Sequence, residues 1–194
     1  MHVCPVAAAP ATDTDGWLFR YAVSNTQPRP ESYREDYITA NNESYYAASG
    51  IIYPPTHALT ESERATLYAN LATGAESGWD YTSRWIANPR DAVDDVYFPL
   101  RSLNTANIVG VDLNSILYAN EQTIAGYLEA AGNRTGAADY AARAERRAAA
   151  MYALMWNADE FAYFDYNLTS AAQNVYVPAA DAAATAAAIT TKAS

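Results

Sequence analysis

The stretch Thr60-Glu61-Ser62-Glu63 constrains the fold of this chain more than any other. A threonine followed three residues later by an acid forms a capping box. Each side chain can meet the other's exposed backbone amide, so a helix is expected to start there. Leu67, Tyr68 and Leu71 then recur at the spacing of one helix face, and Gly74 predicts the stop. A helix with a single apolar stripe must bury that stripe against a neighbour.

The rest of the sequence alternates helix and loop in the same way. A helix is expected from about Ser32 to Ala48, with Tyr33, Tyr37, Ala40 and Ser44 on one stripe. Tyr53-Pro54-Pro55-Thr56-His57 breaks the pattern and reads as loop, with His57 a surface residue. Asn88 to Leu103, interrupted by Pro89 and Pro99 and carrying Asp91, Asp94 and Asp95, reads as a long loop. Asp112 is expected to cap a helix that buries Leu113, Ile116, Leu117, Ile124 and Leu128 and stops at Gly132. A last helix is expected from about Ala137 to Trp156. Its apolar face carries Tyr140, Ala144, Met151 and Met155, and its solvated face Arg143, Arg146 and Arg147. The fold class is therefore all-α. No repeat with fixed residues accompanies the alternation. Residues 1–16 are small and Ala-rich and are expected to be loosely ordered, and residues 178–194 form a low-complexity Ala/Thr-rich tail.

Composition narrows the partners. At 194 residues and 51% hydrophobic, the chain can bury a core. Its net charge of −10 argues against nucleic acid and against an anionic membrane surface, both of which demand a basic patch. The one cysteine, Cys4, permits no internal disulfide, and with only His2 and His57 it builds no Cys/His metal cluster; no metal and no cofactor are expected. The sequence has no apolar run long enough to cross a membrane, and Met1 to Ala9 lacks the basic end and apolar stretch of a signal peptide. Three glycosylation sequons, at Asn42, Asn133 and Asn167, point the other way, toward a secreted parent protein.

The chemistry lies in Glu76-Ser77-Gly78-Trp79-Asp80-Tyr81-Thr82-Ser83-Arg84-Trp85, which sets one carboxylate between two tryptophans. A carboxylic acid that donates a proton near neutral pH needs its pKa raised, and apolar walls do this by disfavouring the charged form. Trp79 and Trp85 can supply the walls and flat faces for a sugar, while Gly78 lets a ligand approach the backbone. The same run also reads as a helix start that buries both tryptophans and pairs Asp80 with Arg84. On that helix-start placement the helix dipole would lower the Asp80 pKa. Earlier in the chain, Pro28-Arg29-Pro30-Glu31-Ser32 places an arginine in a proline-stiffened turn. Pro30 restricts Arg29 to extended geometry, so its fork of donors is held out of the following helix, where it suits hydroxyl pairs or carboxylates.

Together with Val111-Asp112-Leu113-Asn114-Ser115, these two motifs closely resemble the trehalases, inverting glycoside hydrolases that split α,α-trehalose into two glucoses. The resemblance runs from about Tyr21 to about Tyr166. It implies an (α/α)6 toroid, of which this chain would be an incomplete arc, with residues 17–177 a partial catalytic domain. Asp80 then matches the general acid, Arg29, Pro30 and Glu31 the substrate-binding turn, and Gly78 and Trp79 further substrate-binding positions. Asp112 or Asn114 could touch sugar, although capping alone explains Asp112. The implied substrate is a small molecule, trehalose, with no nucleic acid or membrane partner.

The departures from the family pattern are as informative. The N-terminal Pro-Gly-Gly-Arg-Phe stretch, the Gln-Trp-Asp-x-Pro-x-Gly-Trp signature and the catalytic base have no counterparts, and Asn167 stands where a second acid would follow Tyr166. An inverting glycosidase needs two carboxyls roughly 6.5 to 9.5 Å apart. Glu31, Asp36 and Glu76 are the carboxylates that could lie near Asp80. The resemblance thus implies a trehalase fragment that lacks its base. A non-catalytic sugar-binding subunit and a plain helical packing module stand as alternatives, and an open arc is expected to leave apolar helix faces uncovered.

Overall fold

The computed structural model describes residues 3–5, 18–41, 45–46, 52–53, 58–79, 81–87 and 99–175. In chain order the elements are β1 (Val3–Pro5), β2 (Phe19–Tyr21), α1 (Tyr33–Asn41), β3 (Tyr45–Tyr46), β4 (Ile52–Tyr53), α2 (Glu61–Ser77), β5 (Ile108–Val109), α3 (Val111–Ala130), α4 (Arg134–Met155), β6 (Trp156–Asn157), β7 (Ala162–Tyr163), β8 (Tyr166–Asn167) and β9 (Ala172–Gln173). Among the described residues helices dominate and no strand exceeds three residues, so the fold class is all-α, in keeping with an arc of a helical toroid. The chain divides into two compact units, Met1–Ala22 with Ala106–Asn174, and Val23–Thr105 with Val175–Ser194.

The first unit is built on α3 and α4, joined by Ala131-Gly132-Asn133. Gly132 turns the chain with φ 81°, and the Asn133 side chain caps α4 by accepting the Gly136 amide at 3.0 Å. Asp112 does not cap α3. The N-cap is Gly110, which has no side chain to offer, and the Val111 amide instead donates to Asp165 Oδ1 at 2.9 Å. Because Asp165 lies far along the sequence, no local pattern could reveal this cap. Leu18, Val109, Ala150, Met151, Met155 and Tyr166 form the core, with Val111, Leu154 and Leu168 against it.

Two further expectations fail in this unit. Ile116 is 56% exposed and Ile124 37% exposed, while only Leu113 and Asn114 of α3 are buried. Burial on α3 is set by its contacts with α4 and β2, which cover one narrow strip of it. Arg147 does not belong to the solvated face either: it is buried, and its Nε and Nη2 donate to the two Glu121 carboxylate oxygens at 2.9 and 2.6 Å. Its Nη1 donates to Asn114 Oδ1 at 3.1 Å, and Phe19 lies beneath the guanidinium. Asn114 completes the network by donating to the Phe19 and Gly110 carbonyls and accepting from the Phe19 amide.

Beyond α4 the backbone makes the same turn twice. Asn157 Oδ1 accepts the amides of Asp159 and Glu160, and Asn167 Oδ1 those of Thr169 and Ser170. Each turn closes through a residue of positive φ, Phe161 at 50° and Ala171 at 51°. The hairpins that result, β6 with β7 and β8 with β9, are antiparallel, and β8 also pairs with β5. Asn167 is buried, so of the two sequons among the described residues only that at Asn133 is exposed.

The second unit holds α1 and α2. The capping box forms as expected: Thr60 Oγ1 accepts the Glu63 amide at 3.3 Å, and Glu63 Oε2 accepts the Thr60 amide at 2.8 Å. Leu67, Tyr68 and Leu71 face inward. The helix runs through Gly74, which is buried, and stops at Gly78 in left-handed geometry with φ 75°. α1 ends at Asn41 rather than near Ala48, because Tyr45 and Tyr46 pair as a strand with Tyr53 and Ile52. Its buried residues are Asp36, Thr39 and Ala40. Tyr33 and Tyr37 stack on each other outside, with ring centroids 6.3 Å apart, so the anticipated stripe is only partly inward. Pro99–Ser102 forms a 3-10 turn within what the prolines suggested was loop, and residues 88–98, His57 and Ser44 lie outside the described residues.

Candidate active site

Of the site residues named from the sequence, Arg29, Pro30, Glu31, Gly78 and Trp79 fall in the second unit. Arg29 holds the extended backbone that Pro30 dictates, φ −65° and ψ 139°, and serves as N-cap of the 3-10 turn Pro30–Ser32. Its guanidinium is already engaged. Nε donates to Asp36 Oδ2 at 2.8 Å and Nη2 to Asp36 Oδ1 at 2.7 Å, a bidentate pair, and the Arg29 amide donates to Oδ2 at 3.0 Å. The hydrogen bond to Asp36 raises the Arg29 pKa further, with burial opposing it. Asp36 is thereby removed from the carboxylates available as a base. Pro30 and Glu31 are exposed, as is Glu76.

The geometry brings the arginine turn to the Gly-Trp-Asp run. The Arg29 guanidinium carbon lies 5.4 Å from the centroid of the Tyr81 ring, and the Tyr81 hydroxyl donates to the Leu71 carbonyl of α2 at 3.2 Å. Tyr81 is therefore fixed between α2 and Arg29, immediately after Asp80. Asp80 itself lies outside the described residues. The run was expected at a helix N-terminus. Instead it follows the C-cap of α2, and the next helical element is the 3-10 turn Ser83–Trp85.

The two tryptophans differ. Trp79 is 52% exposed, but Trp85 is fully buried and presents no face to a sugar. Arg84 sits with its guanidinium carbon 5.4 Å from the Trp79 ring and 4.5 Å from the Trp85 ring, bridging an exposed indole to a core one. Trp85 is tied further into the unit by its carbonyl, which accepts the Asn104 amide at 2.8 Å. The Trp85 indole N–H has no partner among the described residues. Gly78 is exposed, and a Cβ built on it would meet no atom within 4 Å, so the left-handed backbone, rather than crowding, is what calls for glycine.

Asp112 and Asn114 of the Val-Asp-Leu-Asn segment lie in the first unit. All of Asn114's oxygen and nitrogen contacts described above are internal, and the side chain is fully buried, so it has no edge to offer a sugar. Among the described residues no group of three or more His, Cys, Asp or Glu side chains could hold a metal ion. No described helix is long and apolar enough to cross a membrane. Sequence reasoning missed the partnership of Asp36 and Tyr81 with Arg29. A partial signal was present, since Asp36 stands seven residues after Arg29, in the first turn of the helix that follows the arginine turn.

The arginine turn and the tryptophan-rich run thus meet, within a helical unit, through Arg29 and Tyr81. The family model described as Trehalase matches residues 7–194, and this chain belongs to the trehalase family. It is 38% identical over 154 residues to a trehalase of Dictyostelium discoideum, covering 79% of this chain and 22% of that protein. It is 36% identical over 157 residues to a trehalase of Oryctolagus cuniculus, covering 81% and 24% respectively. A putative periplasmic trehalase of Salmonella typhi is 38% identical over 151 residues, 78% of this chain and 22% of the relative. The chain thus spans less than a quarter of the length of these curated relatives.

Proposed function

We propose that this chain is the acid-bearing part of a trehalase, which hydrolyses α,α-trehalose to two glucoses with inversion. The observation that carries the reading is the approach of Arg29 to Tyr81, which unites the arginine turn with the segment that contains Asp80. Asp80 is the general acid that protonates the glycosidic oxygen as the bond breaks. Arg29, Pro30 and Glu31 form the sugar-binding turn, and Gly78 and Trp79 flank the acid, with exposed Trp79 the stacking surface. On this reading the partner carboxylate that activates water is supplied by the remainder of a trehalase, because none of the three candidates among the described residues is free to serve in a closed site. Asp36 is committed to Arg29, and Glu31 and Glu76 are solvent-facing.

Glucose release from α,α-trehalose tests this, with Asp80→Asn alongside. The folded chain alone is expected to release none. Supplemented with the remainder of a trehalase it is expected to turn over, and Asp80→Asn to lower that rate by about 10²-fold or more. Supplemented turnover that Asp80→Asn leaves unchanged would remove Asp80 from the acid role. Saturable trehalose binding without any turnover would favour the non-catalytic sugar-binding subunit.

A further inference from the structure

We infer that Asp36 is the positioning residue of the sugar-binding arginine, holding Arg29 so that one edge of its guanidinium is presented to sugar hydroxyls. The inference rests on the reading of the Arg29 turn as a trehalose site. The Asp36 side chain is 3% exposed, and its two oxygens take the Nε and Nη2 protons and the backbone amide of Arg29. A single carboxylate therefore fixes both the loop and the side chain it carries. Tyr81 lies against the guanidinium, and the Tyr81 hydroxyl is itself anchored on α2.

What remains is Nη1, which has no hydrogen-bond partner among the described residues, and the second Nη2 proton. A guanidinium offers five N–H donors in a rigid plane, so these unspent donors point along one edge and suit the acceptor oxygens of neighbouring hydroxyls. Fixing a long side chain before the ligand arrives removes an ordering cost from binding. The Asp36 charge also balances that of Arg29, so an uncharged disaccharide need not be accommodated against a bare buried cation.

The test is a double-mutant cycle on the purified 194-residue chain, titrated with α,α-trehalose and read by calorimetry, with melting curves confirming that each variant folds. Asp36→Ala is expected to weaken affinity about tenfold where Arg29 is present and to add nothing to Arg29→Ala. Asp36→Asn, the milder change, reads the cycle if Asp36→Ala fails to fold or leaves no measurable binding. An equal loss in both backgrounds would mean that Asp36 merely supports the fold and would overturn the proposal. Unchanged affinity in both Asp36 variants, with Arg29→Ala weakened, would overturn it while leaving the arginine reading intact. Arg29→Ala binding as tightly as the unaltered chain, or no saturable binding by the unaltered chain, would sink the arginine reading and this proposal with it.

Discussion

Each unit contains a bidentate arginine–carboxylate pair, and the two have different fates. In the first unit Arg147 spends all three nitrogens, two on Glu121 and one on Asn114, and its flat face lies on Phe19. In the second, Arg29 spends Nε and Nη2 on Asp36, has Tyr81 on one face, and keeps Nη1. A closed fork holds structure together. A fork with an unspent edge can hold something else. Location sets the difference: Arg147 is in mid-helix between packed helices, whereas Arg29 precedes a proline on a loop.

Severing the closed fork gives the largest expected effect. Arg147→Ala strands Glu121 as an uncompensated charge and is expected to cost about 3–5 kcal/mol in chemical denaturation. A loss below about 1 kcal/mol would erase the contrast between the forks. Trp85→Ala, in the second unit, is expected to cost about 3–5 kcal/mol by opening a cavity, although the sequence offers the same residue as a sugar platform. Retained stability together with a specific loss of trehalose affinity would restore the platform.

The smaller effects sharpen the comparison. Thr60→Ala removes the capping box of α2, which holds the Tyr81 anchor, and is expected to cost about 1 kcal/mol of stability without changing trehalose affinity in the folded fraction. Gly78→Ala forces a side chain into left-handed geometry at about 1 kcal/mol; because space is open there, a larger penalty would expose a crowding not seen at Gly78. Both are read from thermal melts.

Ile116, Ile124 and Tyr127 of α3 are exposed. The sequence identified α3 as amphipathic but placed too many of its side chains inside, since periodicity marks a face without saying how much of it a neighbour covers. Arg147 illustrates the converse. It was assigned to solvent with Arg143, yet Arg143 pairs with Asp139 on the surface while Arg147 is buried against α3.

Local chemistry determined what the sequence alone could tell. A threonine and an acid three residues on make a cap, and a proline holds the arginine before it extended; each needs only neighbouring backbone. Tertiary structure decided everything that depends on a distant partner. It buried Trp85 and left Trp79 in solvent, capped α3 with Asp165, and closed the Arg147 fork with Asn114 and Glu121. It also set Arg29 against Tyr81. Burial and donor saturation are set by whichever residues the folded chain brings close, and sequence spacing records only those within a few turns of one another.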